Sequence, residues 1–233
     1  MDVMLAEDAR FMRLGAYTGA WMVLWTALLL VIPAGASGRN HIVSLNAAHG
    51  VVCTVVAALT IQYHLDTANS VAISLAYFLV DLVAMVKADG VTKLHTLHRS
   101  RLMDYVHHFI GLFWGTIFYA HEATVCDAAL GNPYVWIQTN EVSTPFYNWF
   151  RLTNHVVAGA LFALFFFLSR IVFNTFYFIP RLLAECDTRY LWGCLPFFAL
   201  QYVWFVMILQ KMRRTLRRQD RRQDRRQDTK KAS

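Results

Sequence analysis

A chain of 233 residues that is 57% hydrophobic and 15% aromatic, with only 16% charged residues, is too apolar for an ordinary soluble domain. Its formal net charge of +7 is mostly a property of the C-terminal tail, because a large share of the arginines follow residue 212. The four cysteines (Cys53, Cys126, Cys186 and Cys194) show no metal-ligand spacing, so the composition argues for an integral membrane protein without a cysteine metal site.

Seven segments approach the roughly 20 apolar residues that a membrane span needs. They cover 15–35, 42–62, 68–86, 104–121, 133–148, 152–179 and 191–212. The fifth is the weakest, being short and carrying Asn140, Glu141, Ser143 and Pro145. It reads as a helix buried among the others, where kinks and polar side chains find partners. A re-entrant or interfacial segment is the alternative.

Charge orients this bundle, since Lys and Arg accumulate in short cytoplasmic loops. Arg39 follows the first span, Lys87, Lys93, Arg99 and Arg101 separate the third and fourth, and Arg151 follows the fifth. The opposite side carries Asp66, Glu122 and Asp127, then a near-neutral loop with Arg181, Glu185, Asp187 and Arg189. The pattern predicts seven spans, a lumenal N-terminus and a cytosolic C-terminus.

In the tail, Arg217-Arg218-Gln219-Asp220 is repeated twice more. So polar a repeat is expected to be disordered, or helical only where it continues the seventh span. Its arginines suit anionic headgroups, each contributing about 1 kcal/mol near the surface. Nothing else in the chain favours nucleic acid. The ending Lys230-Lys231-Ala232-Ser233 looks like a dilysine retrieval signal, which implies the endoplasmic reticulum membrane and a retrieval coat as partner.

Ionisable groups are expensive in hydrocarbon and mark a site by default. His49, Asp81, His107, His108, Glu141 and His155 all count into the cytosolic half of their spans. His121 and Arg170 count toward the lumenal half and read as interfacial or snorkelling groups. His107, Gly111 and Gly115 share one stripe, a small-xxx-small pattern that lets a helix or an acyl chain approach closely. Asp104 shares the face of the histidine pair and is placed to hold an imidazole tautomer. Asn148, Arg151 and His155 form a similar stripe if the fifth and sixth spans join through a continuous turn. The candidate catalytic residues are therefore His107, His108, Asp81 and Glu141. Candidate substrate-binding residues are His49, Asp104, Ser143, Thr144, Asn148, Arg151 and His155.

Five elements carry a resemblance: Val43 to His49, Tyr77 to Asp81, Asp104-Tyr105-Val106-His107-His108, Glu141 to Phe146, and Asn148 to Leu152. In this order they resemble the TLC-domain family (TRAM, LAG and CLN proteins) over residues 40–212. The Glu141-Val142-Ser143-Thr144-Pro145-Phe146 form is similar to the TLC-domain-containing branch rather than to true ceramide synthases. The resemblance implies an all-α membrane protein with a six-helix barrel. It also implies a short lumenal segment 1–14, an extra helix and loop over 15–39, and a cytosolic tail over 213–233. Ceramide synthases in the family use the histidine pair and nearby aspartates to move an acyl group from acyl-CoA to a lipid amine. Where they carry Leu-His-Asp-x-Ser-Asp, this chain has Asn140 to Pro145.

The implied function is membrane lipid homeostasis, with acyl transfer from acyl-CoA as co-substrate and no other cofactor. A histidine would act as general base or as acyl acceptor. The alternative is a non-catalytic protein that binds a membrane lipid or fatty acyl chain, or handles cargo. A di-iron oxygenase, prompted by His95-Thr96-Leu97-His98 and the histidine pair, has too few imidazoles to be favoured. Cys126 and Cys186 fall on the expected lumenal side, where a bridge is permitted, with Cys194 able to replace either.

Overall fold

Long apolar runs have one economical way to satisfy their backbone in hydrocarbon, which is the α-helix. The computed structural model describes residues 2–35, 38 and 40–231; Arg39 of the first basic loop and Ala232-Ser233 of the dilysine ending lie outside them. The helices are α1 (Asp2–Val31), α2 (Asn40–Tyr63), α3 (Thr67–Asp89), α4 (Arg99–Ala120) and the one-turn α5 (Glu122–Val125). They continue with α6 (Pro133–Gln138), α7 (Thr144–Thr153), α8 (Val156–Phe166), α9 (Ile179–Glu185) and α10 (Thr188–Lys231). Among the described residues the only β-type pairing is an isolated bridge between Cys126 and Cys186.

Five helical segments are long and apolar enough to cross a membrane: Asp8–Val31, Asn40–Tyr63, Thr67–Asp89, Val156–Glu185 and Trp192–Arg214. Two of the seven expected spans are not among them. One is 104–121, whose helix α4 begins with Arg99, Arg101 and Asp104 and then carries the histidine pair. The other is 133–148, which is not one helix. There α6 stops at Gln138, a tight 3-10 stretch covers Thr139–Ser143, and α7 restarts at Thr144 with Pro145 in its first turn. Proline fits that position because a first-turn N–H has no intrahelical partner to lose.

The next long segment is irregular in the opposite sense. After α8 the backbone widens into a π-helical stretch over Phe167–Phe178, and the Ile179 N–H reaches the Asn174 carbonyl. Pro180 follows at once and offers no N–H to the ladder. Such widening is rare and tends to occur at functional sites.

Packing alternates along the chain, with α1 on α3, α3 on α2 and α4, α2 on α7, and α7 on α8. The first helix is a full member of this core. Trp25 is buried and donates to the Ile73 carbonyl at 3.2 Å, and Trp21 donates to Asn69 at 2.9 Å.

One end of the bundle is fastened. Cys126 and Cys186 form a disulfide flanked by two backbone bonds, Asp127 N to Glu185 O and Asp187 N to Val125 O, both 2.8 Å. Arg10 pairs with Glu122 at 2.8 Å, and Arg13 with Asp66 at 3.0 Å. Hydrogen bonds from Arg189 hold the exposed Asp187 carboxyl below the usual carboxylate range. At the other end Asp89 accepts from Arg101 at 2.7 Å and from Tyr105 at 3.1 Å. From there α10 runs on through the tail to Lys231, the second of the two expectations for the repeat, a helix that continues the last apolar segment. Arg and Gln are good helix formers, so the repeat can extend a helix that the bundle has already nucleated.

Candidate functional site

The site is built on one face of α3. Ser70, Ser74, Tyr77 and Asp81 recur at helical spacing, and all four are buried. Gln138 of α6 donates to Ser74 Oγ at 2.8 Å and accepts from Ser70 at 2.7 Å. His49 of α2 lies 3.4 Å from Ser74 Oγ and stacks on Tyr77, ring centroids 3.8 Å apart. Tyr77 in turn donates to Asp81 Oδ2 at 3.3 Å.

The two adjacent histidines part company here. His108 Nε2 is 3.1 Å from Asp81 Oδ2, while its Nδ1 is 2.7 Å from the Asp104 carbonyl. A carbonyl only accepts, so Nδ1 carries a hydrogen, while Nε2 lies close to the Asp81 carboxyl without an aligned hydrogen bond. His107 turns instead among Phe78, Phe197 and Trp204, and its buried Nδ1 has no hydrogen-bond partner.

His107 lines a cavity of about 30 Å³ with Ser74, Gln138 and Glu141, while Phe78, Trp114, Phe118 and Phe197 make most of the apolar wall. In this closed form the space suits roughly two waters. The stripe Gly111 and Gly115 permits close approach, and what approaches is protein. A Cβ at Gly111 would strike the Phe78 ring, and one at Gly115 would meet Tyr134 and Leu75.

Glu141 links this cavity to a second buried centre. Its Oε1 is 2.9 Å from Arg170 Nη2, and Oε2 accepts from Thr144 at 2.5 Å. Arg170 also donates from Nε to Ser143 at 3.2 Å and from Nη1 to Gln201 at 2.9 Å. One helical step on, Asn174 accepts from Asn140 at 3.2 Å. The break between α6 and α7 is thus clamped by the π-helical stretch, while on its other side Gly50 of α2 touches Thr144 and Pro145.

Reading Arg170 as a snorkelling lumenal group is therefore wrong: it is 4% exposed and sits midway along Val156–Glu185. The helix that carries the histidine pair begins at Arg99, so the pair lies about 12 Å along it.

Of the candidate residues, His49, Asp81, His107, His108, Glu141, Ser143, Thr144 and Asn148 gather around these two centres, Asn148 donating to the Thr144 carbonyl at 2.9 Å. Three do not. The Asp104 carboxyl turns toward Arg101, 3.6 Å away, and only its backbone serves a histidine. Asn154 adopts a left-handed conformation with φ 51° and ends α7, so the proposed stripe of Asn148, Arg151 and His155 does not form. Arg151 is exposed over the Tyr147 ring, and His155 is exposed and stacks on Trp149.

Sequence reasoning missed Arg170, Asn174, Gln201, Tyr77 and Gln138. The available signal was Arg170 with Asn174 four residues on, two polar groups on one face of an apolar run. His95 and His98 fall in the turn before α4, and no group of three or more His, Cys, Asp or Glu is placed to share a metal among the described residues. Cys53 and Cys194 are buried free thiols, the latter in the cavity wall. Comparison with protein-family models, curated proteins and solved structures returns no match.

Proposed function

We propose that this chain is a multi-pass membrane protein of TLC type that handles a membrane lipid or fatty acyl chain, with acyl-CoA as the acyl donor. The observation that carries the reading is His107, whose buried Nδ1 lacks a partner in an apolar-walled cavity shared with Glu141. An imidazole so placed takes the proton of a lipid amine or hydroxyl as that group attacks the thioester carbonyl. The C–S bond then breaks, and the departing thiolate takes the proton back from the imidazolium. General-base catalysis of this kind contributes typically 10²–10⁴-fold. His108 and Asp81 keep the adjacent helix face in register. An acyl chain enters only when Phe78, Trp114 and Phe197 swing apart.

The α4 and α6–α7 segments complete a seven-span bundle in this reading, buried by their neighbours where they are too polar to cross alone. The basic end faces the cytosol, where acyl-CoA is found, and the disulfide end faces an oxidising lumen. The dilysine ending fits residence in the endoplasmic reticulum.

A second reading, a lipid-binding protein without catalysis, is favoured by the small volume and mostly apolar wall of the cavity. Mass spectrometry of the purified protein, before and after acyl-CoA and with His107→Ala alongside, separates them. An acylated product or imidazole adduct lost in the variant supports catalysis. A co-purified lipid that survives unchanged supports binding. Neither lipid nor turnover overturns both.

A further inference from the structure

The Glu141 side chain faces two ways, toward the cavity it shares with His107 and toward the break in the fifth segment. We propose that Arg170 is a positioning residue that holds Glu141 as an ionised carboxylate in the cavity wall. The assignment gives a role within the lipid-handling site just described, and rests on that reading only for what the cavity does. The clamp itself rests on geometry.

Arg170 spends its donors on four side chains. Nη2 meets Glu141 at 2.9 Å and Thr144 at 3.4 Å, Nε meets Ser143 at 3.2 Å, and Nη1 meets Gln201 at 2.9 Å. Thr144 closes the circle by donating to the other Glu141 oxygen at 2.5 Å. Both carboxylate oxygens are thus fixed by donors. The fork geometry matters, because an ammonium gathers its three donors on one atom and cannot reach partners set apart around a planar guanidinium. The local backbone is what makes this reach available. The 3-10 stretch brings Glu141, Ser143 and Thr144 into one cluster, and the π-helical widening brings Arg170 and Asn174 onto the same buried face. A merely structural tie between helices needs neither the second carboxylate oxygen to be bound nor the carboxylate to reach the wall of a cavity.

The test reads the state of Glu141 directly and uses no substrate. Infrared spectra of the full-length protein in lipid nanodiscs, labelled with isotopic glutamate, are compared for the wild type, Glu141→Gln, Arg170→Gln and Arg170→Lys. In the wild type, Glu141→Gln is expected to remove a carboxylate band and no protonated-carboxyl band. In Arg170→Gln a protonated-carboxyl band appears, and adding Glu141→Gln abolishes it. Arg170→Lys restores the charge, so the protonated band stays absent, while the carboxylate band shifts because the fork is lost. A protonated-carboxyl band lost from the wild type on Glu141→Gln overturns the proposal. So does an unchanged carboxylate band in Arg170→Gln. If Arg170→Gln does not fold, the wild type, Glu141→Gln and Arg170→Lys still decide. A clamp that passes while no lipid or turnover is found leaves this assignment standing and sinks the functional reading instead.

Discussion

The two buried ionic centres differ in how completely they are satisfied. Around Arg170 each guanidinium nitrogen has a partner and both Glu141 oxygens are held, with Gln201 Nε2 and Asn140 Oδ1 beside it left unpartnered. Around Asp81 the couple with His108 leaves Asp81 Oδ1 without a partner, and neighbouring His107 and His49 each keep an unpartnered Nδ1. A buried polar group left unmade carries a cost of about 1–3 kcal/mol that a purely structural network avoids. The first centre therefore holds a charged pair in place at the cavity wall, while the second leaves polar atoms of the histidines and Asp81 open beside it.

The largest effect should come from breaking the satisfied centre on one side only. Arg170→Ala leaves a buried, unpaired Glu141 and is expected to cost about 3–5 kcal/mol in detergent thermal unfolding. The neutral pair Glu141→Gln with Arg170→Gln should recover most of that loss. A single variant as stable as the wild type would break the comparison. Next comes the fastened end. Replacing Cys126 and Cys186 by serine opens a bridge of sequence separation 60 and should cost about 2–4 kcal/mol, read as a lower melting temperature.

At the unsatisfied centre the scale falls. Asp81→Asn is expected to cost about 1–3 kcal/mol, because His108 Nε2 loses a charged partner. His107→Ala should cost under about 1 kcal/mol, since its free nitrogen ties nothing down, yet remove lipid occupancy or turnover. Stability and function thus separate within one pair of adjacent residues, and equal losses from His107→Ala and His108→Ala would contradict that. The smallest effect belongs to Arg189→Ala. The Asp187 carboxyl is depressed by its bonds to Arg189, so the pair contributes above the usual carboxylate pKa and is lost as pH falls through the lowered value. The pair lies at the surface and is screened, so its loss should lower the melting temperature barely measurably above that window and not at all below it.

Much of the arrangement was legible in the sequence because it rests on length and spacing. Apolar runs gave the long helices, and the loop positions of Cys126 and Cys186 permitted the bridge that forms, with Cys194 as an open alternative. The convergence of Asp81 with the histidine pair follows from helical register on α3 and α4. What escaped depends on backbone irregularity. Counting residues from an assumed span start placed Arg170 near a membrane surface, but the true start at Val156 and the widened stretch put it at mid-depth. Its partner lies 29 residues earlier, across a break that only the Asn154 turn and Pro145 define. His155 failed for the same reason, because one left-handed residue rotates the helix that follows. Asp104 was misread because its carbonyl, which no sequence pattern advertises, does the work assigned to its carboxyl.

The length of α10 has a mechanical side. A single helix of 44 residues, roughly 66 Å long, starts beside the Cys126–Cys186 bridge and ends in the arginine repeat. Gln201 lies on its short arm, touching Arg170, with about 45 Å of helix beyond it. Pro196 interrupts the hydrogen-bond ladder between the tethered start and Gln201, which places the softest joint of the lever just before that contact. A small displacement of the tail is therefore converted at Arg170 into a smaller, stiffer one. The lever runs from the arginine-rich tail to the Arg170–Glu141 pair.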